Sequence, residues 1–435
     1  IQGITFMIGT IFFREIQEYI KSLRFLIGLL FIVGLVILCM HINIKDYIQR
    51  DRNYQETKFK KNIMHGVYIY KQPHVLSIFS QGKEKKTGNR VHLGESYIPS
   101  RTTGQFGRFS RQDMLFGGFE AVDFVFIVRV IISLFIIFLT YDTISQEKFQ
   151  GTLRLSLANN IPRHRILLGK FLAGFFIVFV SLTFACVISL ILIEINPAVS
   201  LETTDWLRLA AMFAVSLLYL SLFYTISLFV STIINTPSIV LSVLLQIWVI
   251  LLIIYPNFSV FLADTSYLLP SEDKLAEQRL TSMVNAYEIR PKLEYYELQN
   301  KCAEEVYKIE KNYENELSHM AERARNFAMF SPAVLFDTII SRYACTGIGD
   351  YERFLDKMYL YWEDNIRFKN NQAFSYGKNE YIYFQKLMNL PEYIYYPEKF
   401  TESFTGTAFY QILLILLNVV FFLLSYTFFL RKDVR

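Results

Sequence analysis

Charged and hydroxyl side chains lie at short intervals in a polar stretch between two apolar runs of the chain. The candidate site residues in this stretch are Asp142, Glu147, Gly151, Thr152 and Arg163. Carboxylate and guanidinium groups form ion pairs and charge-assisted hydrogen bonds. A short, rigid, polar element between two membrane helices can receive a push from a soluble protein and pass it to both helices. The chemistry that these residues predict is therefore recognition of a partner protein.

Sequence patterns of catalysis are missing from the chain. No Gly-x-x-x-x-Gly-Lys-Ser/Thr sequence occurs, so nucleotide phosphates cannot be held in a P-loop and any work by ATP needs a separate subunit. His-Glu-x-x-His and Gly-x-Ser-x-Gly are absent too. His65, His74 and His92 share a hydrophilic block, but their spacings match no metal motif and surface histidines are the alternative. We therefore predict no catalytic, cofactor-binding or metal-binding residue and no enzyme activity.

Apolar residues dominate the composition and are grouped in blocks. Hydrophobic residues make up 53% of the 435 residues and charged residues 19%, whereas soluble domains average about 25% charged residues. Crossing a bilayer core takes about 20 residues. The blocks of this length predict membrane spans at 24–42, 123–141, 166–195, 206–230, 238–260 and 408–430. Membrane lipid is thus an expected partner, and no basic stripe with interleaved aromatic residues predicts nucleic acid.

The predicted fold class is mainly α: a polytopic membrane protein with six transmembrane helices, a small mixed external domain and a helical external domain. The remaining segments are an amphipathic elbow helix at 1–23, a first external domain at 43–122, a coupling loop at 142–165 and a second external domain at 264–405. In the first external domain, Val75–Phe79 and Arg90–Leu93 are expected to pair as short strands.

The elbow helix is predicted from helical spacing. Phe12, Ile16 and Ile20 fall on one face, while Glu15 and Glu18 lie elsewhere on the wheel. A helix of this kind suits the membrane surface.

Basic residues predict the orientation in the membrane. The polar stretch between the second and third spans has more basic than acidic residues, namely Lys148, Arg154, Arg163, Arg165 and Lys170 against Asp142 and Glu147. Short loops with a basic excess face the cytoplasm. This places the 142–165 loop and both termini in the cytoplasm, with the protein in a bacterial plasma membrane.

Polar residues inside the spans have two interpretations. Ser216, Tyr219 and Tyr224 on the fourth span can line a path, although packing between helices is the commoner use of such residues. Arg129 in the second span is expected to snorkel or to pair with an acid, rather than to contact a substrate.

The cysteines give one candidate crosslink. Cys302 and Cys345 lie outside the apolar runs, in the same predicted external block, and are candidates for a disulfide in an oxidising compartment. Two free buried thiols are the alternative.

The order of residues in the polar stretch resembles the first cytoplasmic loop of ABC-2 type transporter permeases. An Asp (Asp142) is followed by Glu147, then by Gly-Thr-Leu at 151–153, then by Arg163 and by Leu-Leu-Gly-Lys at 167–170. A second set, Ser-Pro-Ala at 331–333, Thr-Gly at 346–347, Asp350 and Phe354, resembles the external domain of the permeases that carry two large outer insertions. Gly151 is expected to end a short helix in a left-handed conformation, with Glu147 exposed to a partner.

The resemblance implies a permease subunit of an ABC transporter, with export as its direction. A separate ATPase subunit would bind ATP-Mg, a second copy or a homologous permease would complete the membrane part, and the site residues above would contact the ATPase. Two other classes stay open: a mechanotransmission subunit that acts on an extracytoplasmic partner, and a membrane-embedded enzyme, against which the missing catalytic motifs argue.

Overall fold

The computed structural model describes residues 2–59, 67–82, 90–93, 122–153, 155, 162–266, 272–288, 295–376 and 395–431. Helices make up most of this part of the chain, which confirms the mainly α fold class. Among the described residues, six helices are long and apolar enough to cross a membrane. The predicted six-span architecture is therefore confirmed.

The helices follow one another in simple order. In the first half they are α1 (Gln2–Lys21), α2 (Leu23–Phe59), α3 (Phe124–Phe126, Ile127–Ile132 and Ser133–Thr140), α4 (Ser145–Gln150), α5 (Arg163–Glu194) and α6 (Thr203–Ile233). In the second half they are α7 (Pro237–Val249, Ile250–Ile254 and Tyr255–Ser266), α8 (Glu272–Glu288), α9 (Tyr295–Ala328), α10 (Pro332–Tyr343), α11 (Ile348–Tyr376) and α12 (Phe400–Arg431). The candidate spans lie in α2, α3, α5, α6, α7 and α12.

Helix α6 is the centre of the bundle. It packs against α3, α5, α7, α10 and α12. Its first turn is closed by a capping box. The Glu202 side chain accepts a hydrogen bond from the Asp205 backbone N–H, and the Asp205 side chain accepts one from the Glu202 backbone N–H. Tyr219, Phe223 and Tyr224 are buried along it. Burial on most sides explains why its sequence is apolar or small and hydroxylated all round.

The bundle has two ends. The loop end holds α1, α4, the start of α5 and the turn between α6 and α7. The domain end holds the strands, α10 and the start of α12. Helix α10 starts with Ser331 as its cap, whose hydroxyl accepts from the Val334 N–H at 3.4 Å, and with Pro332 in its first turn, as the sequence predicts. It buries Phe336 against the middle of α6, and Tyr343 near the starts of α6 and α12.

Helix α3 widens into a π-helical segment at Ile127–Ile132, around Arg129. The Arg129 carbonyl is satisfied from outside the helix, because the Tyr219 hydroxyl donates to it at 2.9 Å. The Trp248 indole donates to Ser133 Oγ at 3.0 Å. Side chains from α6 and α7 thus bond to the wide turn, and the Ser133 hydroxyl donates to the Arg129 carbonyl from within α3.

The strand prediction is right for one segment and wrong for the other. Strand β1 (Val67–Tyr70) pairs antiparallel with β2 (Arg90–Leu93). The predicted partner, Val75–Phe79, instead forms a 3₁₀ turn at Val75–Ile78. Leu76, Ser77 and Ile78 are buried in succession, whereas a strand would point alternate side chains to opposite faces. The rest of the predicted mixed domain lies outside the described residues.

Candidate functional site

The short helix α4 is fixed at both of its ends. At the start, Ser231 Oγ of α6 accepts from the backbone N–H groups of Ile144 at 3.0 Å and Ser145 at 2.9 Å. At the end, Gly151 adopts a left-handed conformation with φ 76°, which confirms the predicted C-terminal cap. A cap from a neighbouring span and a terminal glycine together give this segment a defined position.

Lys170 of α5 is the buried centre of the loop end. Its ammonium group lies 2.6 Å from the Glu15 carboxylate of α1 and 3.1 Å from the Glu147 carboxylate of α4, and its side chain is only 4% exposed. Burial raises the pKa of Glu15, and attraction to Lys170 opposes that rise. One cation thus holds three helices together.

These contacts correct two expectations. Glu147 is 21% exposed and bonded to Lys170, so the prediction that it is exposed to a partner is wrong. Glu15 was placed away from the apolar face of the elbow helix, yet it is buried, while Phe13 and Ile20 are exposed. Glu15 is buried between α1 and α5 because Lys170 supplies a counter-charge there, while Arg14 and Glu18 stay exposed.

Asp142 and Thr143 attach the loop to the first two helices. Asp142 accepts from Arg24 of α2 at 3.0 Å, and Thr143 Oγ1 lies 3.0 Å from the Tyr19 hydroxyl of α1. Ser22 separates these two helices and caps the start of α2, since its hydroxyl accepts from the Phe25 N–H at 3.2 Å. This interruption between α1 and α2 allows α1 to pack along α5.

Two basic residues bond the C-terminal ends of other spans. Lys148 donates to the backbone carbonyls of Ser231 and Thr232, at the end of α6. Arg163 donates to the carbonyls of Leu430 at 2.9 Å and Phe429 at 3.5 Å, at the end of α12. Cations are favourable at helix C-termini because unsatisfied carbonyls concentrate there. Helix α4 also packs on α7, so the loop touches every spanning helix.

Between Ser145 and Leu155, the described residues that remain exposed are apolar or uncharged. Phe149 is 68% exposed and Leu155 is 69% exposed. Gln150 and Thr152 are exposed as well, and the Thr152 hydroxyl donates to the Glu147 carbonyl at 3.3 Å. We call Phe149, Gln150, Thr152 and Leu155 the loop surface.

The sequence model described as ABC-2 family transporter protein matches residues 10–434. The chain belongs to this family. The match runs through the loop, all candidate spans and both hydrophilic blocks, so this ABC-2 family protein is the membrane subunit of an ABC transporter and a multi-pass membrane protein. No curated protein matches the chain.

The predicted path residues of this ABC-2 family protein are packed. The Tyr219 ring stacks on Phe336 with ring centres 4.4 Å apart, and the Tyr224 hydroxyl donates to the Lys170 carbonyl at 2.7 Å. Ser216 is buried and donates to the Met212 carbonyl at 2.8 Å. Tyr219 and Tyr224 therefore pack against other helices, whereas Ser216 bonds within its own helix.

The cysteine and arginine expectations have different outcomes. Cys345 is a free, buried thiol, which contradicts the disulfide with Cys302; the Cys302 side chain lies outside the described residues. Arg129 forms an ion pair with Asp337 of α10, which confirms pairing with an acid.

Proposed function

We propose that this chain is an exporting permease and that the loop surface is where a separate ABC ATPase subunit docks. The observation that carries the proposal is the bonding of one short helix, α4, to the ends of the surrounding spans. Movement of α4 by a bound protein is transmitted to α1, α5 and α6 through Lys170, Lys148 and Ser231.

The assignment divides the predicted site residues into two groups. Asp142, Glu147 and Arg163 bond to other helices of the chain and pass movement on. Gly151 and Thr152 shape the exposed end, next to Phe149. Exposed aromatic side chains are favourable anchors at protein interfaces.

Orientation follows from the charge of the loop end. Its basic excess favours the cytoplasm, which puts both termini in the cytoplasm of a bacterial cell and the domain end outside. ATP-Mg would then be bound by the partner subunit. A second copy of the chain or a homologous permease would complete the membrane part.

A mechanotransmission role is the second candidate, because the domain end is bonded to the spans as tightly as the loop end. Arg208 of α6 donates to the Tyr343 carbonyl of α10 at 2.9 Å and to the Glu398 carbonyl. Lys71 and Asp350 form a buried ion pair. Movement of α6 would therefore reach residues outside the membrane without any substrate.

A charge placed on the loop surface tests the docking proposal. Phe149→Asp should leave the fold intact because the ring is exposed, and should reduce co-purification and stimulation of the ATPase at least tenfold because a charge enters an apolar contact. Phe330→Asp is the matched control, since this ring is 72% exposed next to α10. Equal ATPase recovery with both variants would refute docking at the loop surface.

A further inference from the structure

A cavity of about 950 Å³ lies at the domain end, bordered by α3, α7, α9, α10, α11 and α12. Its volume is near the upper end of the usual range of about 300–1,000 Å³ for small-molecule sites. We infer that this cavity binds an anionic amphiphile, that is, a molecule with a negatively charged head group and an apolar chain. The inference concerns residues far from α4 and does not depend on the docking proposal.

The apolar wall of the cavity comes from the spanning helices. Val125, Phe126 and Val130 of α3 line it together with Trp248 and Leu252 of α7. All five residues belong to candidate spans. This side of the cavity therefore offers an apolar chain a surface of the same chemistry.

The polar wall comes mainly from helices outside the spans. Arg325 of α9, Asp337 and Arg342 of α10, and Asp350 and Arg353 of α11 line it. Guanidinium groups bind phosphate and carboxylate through paired hydrogen bonds. Apolar and polar walls in one cavity favour a ligand that has both characters.

Among the described residues, the charges around the cavity leave an excess of positive charge. Basic residues that line the cavity or pair with its lining outnumber the acidic ones. The basic residues are Arg129, Arg325, Arg342, Arg353 and Lys71, and the acidic residues are Asp123, Asp337, Asp350 and Glu398. The imbalance arises because the single Glu398 carboxylate, 2.8 Å from each, serves two arginines, Arg342 and Arg353.

The acids of the wall are already engaged. Asp123 accepts from the backbone N–H groups of Gln81 at 2.9 Å and Phe126 at 2.7 Å, and Asp337 pairs with Arg129. Arg325, by contrast, has no ion pair or hydrogen bond within the described part of the chain. An anion entering the cavity would therefore meet an available guanidinium group rather than an available carboxylate.

Trp248 provides a direct measurement, because it lines the cavity. The chain has three tryptophans, and replacing Trp206 and Trp362 by Phe leaves Trp248 as the only one. The full-length protein in nanodiscs of uncharged lipid is titrated with a lysophosphatidic acid that carries a brominated chain, and with a brominated monoacylglycerol of the same chain. Bromine quenches tryptophan fluorescence at contact distance, so quenching reports occupancy.

We expect saturable quenching by the anionic probe at a concentration at least tenfold lower than that required for the uncharged probe. Arg325→Gln should weaken binding of the anionic probe about tenfold and leave the uncharged probe unchanged. Arg323→Gln is the matched control: the residue is exposed on the same helix and does not line the cavity.

Three results would overturn the inference. Equal quenching by the two probes would remove the role of charge, and this comparison needs no substitution in the polar wall. An unchanged affinity in Arg325→Gln would remove the proposed cationic contact. Displacement of the anionic probe by an equal concentration of inorganic phosphate would show a site for small anions, to which the apolar chain of the probe contributes nothing.

Discussion

Lys170 is the residue on which the loop end depends most. Replacing it by Met would leave Glu15 and Glu147 facing each other without a counter-charge, and Glu15 is buried. Breaking a buried ion pair by removing one partner costs about 3–5 kcal/mol. We expect Lys170→Met to lower the thermal unfolding temperature of the purified protein substantially.

Two further variants test whether the loss of stability comes from the burial of the ion pair or from the loss of a charge alone. Glu15→Gln combined with Lys170→Met should recover much of the lost stability, since one of the two repelling charges is gone. Arg24→Met breaks the pair with Asp142, in which Arg24 is exposed, and should cost no more than about 1 kcal/mol. An equal loss in Arg24→Met and Lys170→Met would contradict this description of the loop end.

His74 predicts a pH dependence at the domain end. Burial, together with the nearby Arg208 and Lys71, lowers the pKa of His74 to about 4, although Asp205 lies 3.8 Å away. The unfolded chain takes up a proton below pH ~6.5, while the folded chain does not until about pH 4. This histidine therefore costs stability as the pH falls from about 6.5 to 4.

The measurement compares His74→Asn with the parent protein across that pH range. Asn keeps a side-chain acceptor for the Leu76 N–H, which His74 Nδ1 now accepts at 3.3 Å, but does not titrate. Relative to the parent, the variant should gain about 1–3 kcal/mol of stability between pH 6.5 and 4. A difference that does not change with pH would refute the buried, neutral histidine.

Residue roles were predictable where the cause is local. Gly151 ends α4 because a left-handed residue was needed there, and that need is visible in the loop itself. The exposure of Glu147 was not predictable, because its partner Lys170 is brought to it by the packing of α1, α4 and α5. Glu15, one helical turn before Tyr19 on the same face, was the feature of the sequence that could have indicated a buried ion pair at this position.

At the scale of helices, the contact between α5 and α6 depends on a glycine. A Cβ atom at Gly174 would lie 2.2 Å from the Tyr224 ring, whereas nothing lies within 4 Å of a Cβ atom at Gly34 in α2. Gly174→Ala should therefore push α5 and α6 apart and cost about 1–3 kcal/mol.

Gly34→Ala is the matched control in the same kind of spanning helix. It should be neutral or stabilise by about 0.5–1 kcal/mol, since alanine is the better helix former. Thermal unfolding of the two variants in the same detergent gives the comparison. Similar losses of stability in both would show that the contact of Gly174 with Tyr224 is not tight.

Elements were predictable to the extent that hydropathy defines them. The spans follow from long apolar blocks, because a bilayer imposes helix on such segments. The turn at Val75–Ile78 differs from the predicted strand, since a short run of mostly apolar residues has the composition of either. Helix α10 was placed in an external domain by its position in the chain, and only the packed structure shows it against α6 and α12.

At the scale of the whole molecule, α6 connects the two ends. Its C-terminal end bonds to α4 through Lys148 and Ser231, and its N-terminal end bonds to α10 through Arg208. A helix fixed at both ends transmits displacement along its axis. This is the physical basis on which a partner at the loop end would alter the cavity at the domain end.

Photo-crosslinking at Gln150 tests directly whether the ATPase subunit docks at the loop surface. A photoreactive amino acid replaces Gln150 on the loop surface or, as a control, exposed Phe330 beside α10, in the full chain in native membranes. Mass spectrometry then identifies the crosslinked proteins. We expect an adduct from position 150 to a protein that carries a P-loop ATPase sequence and none from position 330. Adducts with the ATPase from position 330, or from neither position, would contradict it.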